Sequence, residues 1–164
     1  MRFYIVFLMV LACAGSVLAQ PLDTSYYYRL TNLFLGQSRS LDTYGDGTNE
    51  PFMAETGNQS GQYWRLTALP NGRYRLTNKF LGTSRSLDNF GDGSNDPTMG
   101  TTGDYSGQAW TLTPQPDGTY RLHNDFLGTA RSLDNYNDGD HRPVMGPTGN
   151  YSGQFWKFTP IEKI

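Results

Sequence analysis

Apolar and polar residues alternate along this chain in short runs, about four runs to each stretch of 46 residues, and the stretch recurs three times. In the middle copy Tyr74-Arg75-Leu76-Thr77 alternates using strand-forming side chains, the pattern of a half-buried β-strand. Asn78 to Gly82 turns the chain. Arg85-Ser86-Leu87-Asp88 predicts a second strand. Gly91 to Asp96 predicts a loop by its glycines and its short polar side chains, which bond their own backbone. Pro97-Thr98-Met99 predicts a third strand, with proline tolerable at its start. Thr101 to Gly107 is another loop, and Gln108 to Thr113 alternates again as a fourth strand. Pro70-Asn71-Gly72 and Pro116-Asp117-Gly118 are tight-turn sequences, so each fourth strand should hairpin into the next copy. No stretch carries helical periodicity with caps.

The copies are easiest to see from Ser40 to Trp64, Ser86 to Trp110 and Ser132 to Trp156. Each opens with Ser-Leu-Asp and closes with Ser-Gly-Gln-x-Trp. The tryptophans, like the aspartates at 42, 88 and 134, stand 46 residues apart, so no insertion separates the copies. After a lead-in at 20–26 the units are 27–72, 73–118 and 119–164, and the last two agree at 27 of 46 positions. A fixed period of this length decides the fold before any local detail. The length also suits a propeller blade, but propellers use roughly four to eight blades. Three hairpin-rich units closing on a threefold axis make a β-trefoil, an all-β fold. Its core should hold Leu41, Leu87 and Leu133, Met53, Met99 and Met145, and the tryptophans at 64, 110 and 156.

Composition adds an address. Arg2, the apolar Phe3 to Ala12 and the small residues before Gln20 read as a secretory signal peptide over 1–19. The apolar run is shorter than the ~20 residues of a spanning helix, so a secreted protein without membrane insertion is expected, with 20–164 as a single domain. The one cysteine, Cys13, falls in the leader, so packing rather than disulfides must hold the fold. The formal charge of −2 and the lack of any basic run argue against nucleic acid as a partner. Eleven tyrosines and three tryptophans are more aromatics than a core needs and point to flat contact surfaces.

Gln62-Tyr63-Trp64, Gln108-Ala109-Trp110 and Gln154-Phe155-Trp156 resemble the Q-x-W signature of ricin-type β-trefoil lectins. Ser-Leu-Asp, about twenty residues upstream, is similar to that family's hydrophobic-Asp motif, and the resemblance covers the whole mature chain. It implies a structural Trp and Gln, and an upstream aspartate that accepts hydrogen bonds from sugar hydroxyls. Asp42, Asp88 and Asp134 are then the candidate sugar acceptors; an ionised carboxylate suits adjacent hydroxyls because its hydrogen bonds are charge-assisted. The family's aromatic platform on the third strand is missing, since Ala54, Gly100 and Gly146 stand there, and Gly61, Gly107 and Gly153 replace a polar residue before the Gln. Candidate substitutes are Tyr44, Phe90 and Tyr136, two residues beyond each aspartate and on its face if the strand runs on, and Tyr105 and Tyr151, where the first unit has Gln59. Aromatic faces of this kind would stack on a sugar ring while polar groups take its hydroxyls. Asn58, Asp104 and Asn150 could add a polar contact or simply form turns.

Other chemistry has less support. Asp134 to Gly139 fits part of an EF-hand loop, but Tyr136 and Met145 stand where ligands are required. An irregular calcium loop would use Asp42/Asp46, Asp88/Asp92 or Asp134/Asp138, but the plainer role of Asp46, Asp92 and Asp138 is shaping a turn with the following glycine. Two histidines, His123 and His141, are too few for zinc, and no G-x-S-x-G elbow exists; no enzyme, cofactor or metal is expected. Arg39, Arg85 and Arg131 are placed to pair with the acidic loops. Asn58-Gln59-Ser60 and Asn150-Tyr151-Ser152 are glycosylation sequons beside the proposed sites. The expectation is a carbohydrate-binding protein with up to three equivalent sites and glycans as partners. The alternatives are a β-trefoil protease inhibitor, which would want one distinctive loop, and an adhesion protein with no sugar site.

Overall fold

The computed structural model describes residues 21–43, 48, 50–91, 94–136, 139 and 141–164. The predicted leader 1–19 lies outside these residues, as do Tyr44, Asp46, Asp92 and Asp138. Twelve strands follow in chain order. The first unit holds β1 (Tyr26–Asn32), β2 (Arg39–Asp42), β3 (Phe52–Glu55) and β4 (Trp64–Ala68). The second holds β5 (Tyr74–Asn78), β6 (Arg85–Asp88), β7 (Thr98–Thr101) and β8 (Trp110–Pro114). The third holds β9 (Tyr120–Asn124), β10 (Arg131–Asp134), β11 (Val144–Pro147) and β12 (Trp156–Lys163).

The first and fourth strands of the units close into one barrel in the order β1-β12-β9-β8-β5-β4, and β2-β3, β6-β7 and β10-β11 form three separate hairpins. A closed six-stranded barrel with three hairpins, one from each unit, is the β-trefoil. Closure removes the exposed edges that a sheet would otherwise present. The predicted hairpins into the next unit are present: Ala68 pairs with Tyr74, and Pro114 with Tyr120. The turn between Ala68 and Tyr74 places Asn71 and Gly72 at φ of 60° and 72°, the left-handed pair that a tight hairpin requires.

Period two explains the core. In each hairpin the apolar partners face one another, Leu41 with Met53, Leu87 with Met99 and Leu133 with Met145. These six residues and Trp64, Trp110 and Trp156 are fully buried. Each indole Nε1 donates to the carbonyl of Leu41, Leu87 or Leu133 at 2.8 Å, so every tryptophan bolts its hairpin to the barrel. Leu30, Leu76 and Leu122 complete the barrel interior. Long loops also knit neighbouring units: Met53 N–H donates to His141 O, and Met145 N–H to Asn95 O.

One local expectation needs correction. Gln62, Gln108 and Gln154 do not begin the fourth strand. They close short 3-10 turns over Ser60–Gln62, Ser106–Gln108 and Ser152–Gln154, and the strand starts at the tryptophan. The glycine inside each turn lets the chain bend tightly enough for the Gln to point back under the loop. The arginines at 39, 85 and 131 donate to the carbonyls of Met53, Met99 and Met145, binding strand to strand within the hairpin; Asp46, Asp92 and Asp138 of the acidic loops lie outside the described residues. His123 is likewise structural, buried with Nδ1 against Arg131 O at 2.9 Å and Ser132 Oγ at 3.3 Å.

Candidate functional site

Each unit builds the same polar node from its own Asp and Gln. Gln Nε2 donates to Asp Oδ2 at 3.0 Å in the first unit, 2.8 Å in the second and 2.9 Å in the third. The same nitrogen donates to the carbonyl of Glu55, Thr101 or Pro147. Gln Oε1 accepts from the amide of Gly57, Gly103 or Gly149. One side chain therefore ties strand, loop and carboxylate together, which is the structural role expected of it.

The aspartates end β2, β6 and β10 and are only 4–5% exposed. They sit at the ends of the second strands, as the sequence predicts, and the Gln bond draws them into the fold. Their Oδ1 atoms lie under the glycine that precedes each Gln. A Cβ on Gly61, Gly107 or Gly153 would come within 2.0–2.2 Å of that oxygen and 2.1–2.2 Å of the carbonyl of Thr43, Asn89 or Asn135. Gly100 and Gly146 cover the other oxygen, where a Cβ would come within 2.5 and 2.9 Å of it. The departures from the lectin pattern at these positions thus make room for a sunken carboxylate. Oδ1 of both Asp88 and Asp134 is shut away from the surface and has no hydrogen-bond partner among the described residues, an arrangement that is costly for a buried acceptor. Burial pushes the Asp42 and Asp134 carboxyls above the ordinary aspartate range, and the Gln side chain with the next residue's amide pulls only part of the way back.

Two of these nodes floor clefts. One of about 590 Å³ is lined by Asp88, Phe90, Gly100, Asp104, Tyr105 and Phe126 among others. Its threefold mate, about 640 Å³, is lined by Asp134, Tyr136, Gly146, Asn150, Tyr151 and Phe34. Of the predicted residues, the structure brings together Asp88, Phe90, Asp104 and Tyr105 in one cleft and Asp134, Tyr136, Asn150 and Tyr151 in the other. Phe90, Tyr105, Tyr136 and Tyr151 are between half and two-thirds exposed. Phe90 and Tyr136 reach the cleft from loops, because the strand stops at the aspartate rather than running on. Tyr105 and Tyr151 lie across Gly103 and Gly149, where a Cβ would meet the ring at 2.4 and 2.3 Å. In the first unit Asp42 is held in the same way and Asn58 is exposed, but Gln59 replaces the tyrosine and Ala54 the glycine. Tyr44 lies outside the described residues.

Phe126 and Phe34 are the residues the sequence reading missed. Each comes from the following unit around the barrel, on the turn Asn-x-Phe-Leu-Gly. The turn is fixed by an Asn side chain accepting the Leu amide at 2.9 Å, as in Asn124 with Leu127 and Asn32 with Leu35. The Leu tucks toward the core and leaves the Phe outside, 47% exposed at 126 and 43% at 34. Phe126 also lies close over Gly91. Truncating Phe126 to alanine should leave melting nearly unchanged, since its ring is half in water, yet weaken ligand in the second cleft about 3- to 10-fold, as loss of one stacking face implies. A comparison of melting and titration for this variant checks both halves.

Among the described residues no group of three or more His, Cys, Asp or Glu could hold a metal ion, and no helix is long and apolar enough to cross a membrane.

With the geometry in view, the solved structures that this chain is similar to can be named. A designed threefold-symmetric protein, ThreeFoil, superposes with a TM-score of 0.70 at 22% identity, over 82% of this chain and 99% of that one. A β-trefoil described as BEL gives 0.70 at 12%, over 87% and 97%. The Polyporus squamosus lectin, solved with the epitope Neu5Acα2-6Galβ1-4GlcNAc, gives 0.71 at 14%, over 85% of this chain and half of its own length. The fold is a β-trefoil. No protein-family model and no curated protein matches the sequence.

Proposed function

We propose that this β-trefoil is a secreted lectin of the ricin-type, Q-x-W kind, a binding protein rather than an enzyme, with up to three threefold-related carbohydrate sites. The observation that carries the reading is the repeated cleft: a sunken carboxylate in its floor, walled by three exposed aromatic side chains. A pyranose offers what such a cleft lacks, hydroxyl donors on its rim and C–H faces for the rings. The likeness in fold to a lectin solved with a glycan supports it. The predicted leader supports export. Each cleft is shallow, so one sugar should bind weakly, on the order of 0.1–1 mM, and useful affinity would come from two or three clefts engaging one branched glycan or surface. The first site should be the weakest, because Gln59 cannot stack as Tyr105 and Tyr151 can.

The test substitutes the acceptor without disturbing its shape. Asp134→Asn keeps an oxygen for Gln154 and removes the buried charge. Binding at the third cleft should fall at least tenfold while melting holds or rises, because burial already favours the neutral form. Asp134→Ala should instead lose stability, by about 1–3 kcal/mol, since Gln154 then has a donor without its acceptor. The pH dependence has two opposite signs. The folded protein binds the Asp134 proton more tightly than the unfolded chain, so the stability linked to that proton is complete below the ordinary aspartate value and is lost as pH rises through the raised folded value. Sugar acceptance by the carboxylate runs the other way and should weaken on acidification before ordinary aspartates titrate. Titration calorimetry and melting across that window test the reading; binding that is indifferent to Asp134→Asn would sink it.

A further inference from the structure

Among the described residues that line them, the two clefts differ in charge at one position. Asp104 lies at the rim of the second cleft where Asn150 lies at the rim of the third. Both rims carry the same cation nearby: Arg75 donates to Gly103 O at 2.6 Å, and Arg121 to Gly149 O at 2.8 Å. The two arginines hold the same place on their rims, and Arg121 also stacks on Phe155 where the second unit has Ala109. Among the described lining residues neither cleft has a Lys, Arg or His. The second is lined by two carboxylates, Asp88 on the floor and Asp104 on the rim, with the π faces of Phe90, Tyr105 and Phe126 around them. The described lining of the third has one carboxylate, Asp134, with Tyr136, Tyr151 and Phe34.

Aromatic faces and carboxylates act in the same direction on a cation. The ring quadrupole is negative over the face and attracts an ammonium group, the more so when it is partly desolvated. A carboxylate at the cleft accepts a charge-assisted hydrogen bond from the same group. Anionic sugars meet the reverse: a buried negative floor and no positive partner in the lining.

Resting on the carbohydrate reading, we propose that the clefts discriminate ligands by charge, the second favouring a sugar with a free protonated amine, a glucosamine-type residue, over its neutral N-acetyl counterpart more strongly than the third does. Asp104 is the residue that sets the difference. Because it is exposed at the rim, its contribution is that of a surface ion pair, on the order of threefold in affinity, and it fades as salt screens it.

The experiment is a titration of the unglycosylated mature protein with glucosamine, N-acetylglucosamine and choline, followed by backbone amide NMR. The Gly107 amide reports the second cleft and the Gly153 amide the third. At low salt and mildly acidic pH, the preference for glucosamine over N-acetylglucosamine, read as the ratio of their half-saturating concentrations, should be about threefold larger at Gly107 than at Gly153. Asp104→Asn should bring the two ratios together, and Asn150→Asp should raise the ratio at Gly153 to that at Gly107. Equal ratios at the two amides of the parent protein would overturn the charge selection and leave the carbohydrate reading standing. No shift at either amide with either sugar would overturn both. Choline binding more tightly than glucosamine would also overturn the proposal, since the cleft would then read alkylammonium groups rather than a sugar.

Discussion

Trp110→Ala should cost the fold about 3–5 kcal/mol, the usual penalty for emptying a large buried aromatic site. The indole is fully buried, and its neighbours Leu87 and Met99 are themselves immobilised in a paired hairpin, so collapse into the space is restricted. The substitution also takes the Nε1 donor from Leu87 O, leaving a buried carbonyl unpaired. For a chain of this size each kcal/mol moves melting by roughly 2–4 °C, so a fall on the order of 10 °C is expected. Against a total stability of about 5–15 kcal/mol, this is a substantial fraction, and Trp64→Ala and Trp156→Ala should behave alike. A variant that kept its melting temperature while losing ligand would place the indole in a binding site and remove it from the core.

The second large effect is expected at Gly107. An alanine Cβ there would lie 2.2 Å from both Asn89 O and Asp88 Oδ1. Neither can give way cheaply: one is backbone, and the other is a buried carboxylate already held by Gln108. Forcing them apart should destabilise the protein by about 1–3 kcal/mol and close the second cleft by displacing its floor. Gly103→Ala makes the contrast. Its Cβ would strike the Tyr105 ring, but that ring is 60% exposed and can swing into solvent. Melting should barely change while the second cleft loses a wall. If Gly107→Ala melted like the parent and bound as well, the glycine would not be a packing requirement of the sunken carboxylate.

These contrasts show where the sequence was legible. The hairpins and core followed from period two and from a 46-residue repeat without insertions. Leu87, Met99 and Trp110 sit at matching phases in all units, and a side chain with that spacing has one face to bury. The Gln position was harder, because alternation continues from Gln108 through Thr113 and hides a 3-10 turn whose only sign is Ser-Gly-Gln. Aspartate burial was hidden for a different reason. Asp88 is covered by Gly107 from a loop nineteen residues later, and a missing side chain leaves no pattern. Phe126 could not be found from spacing within one unit, since it completes the cleft of the unit before it. Its signal was there as a large apolar residue at the same phase of every Asn-x-Phe-Leu-Gly turn, beside a Leu that already satisfied the core.

That sharing of walls between units carries into function. A cleft assembled from two units is complete only when the barrel closes, so binding at the third cleft depends on β1 docking against β12. Phe34 enters that cleft only through this closure.

The most direct measurement is a crystal structure of the mature protein with the best ligand from a glycan array. The account predicts sugar density in the second and third clefts, with a hydroxyl or amine on the carboxylate of Asp88 and Asp134 and a ring face against Tyr105 or Tyr151. A glycan seated elsewhere on the barrel, or no array ligand at all for the folded protein, would contradict it.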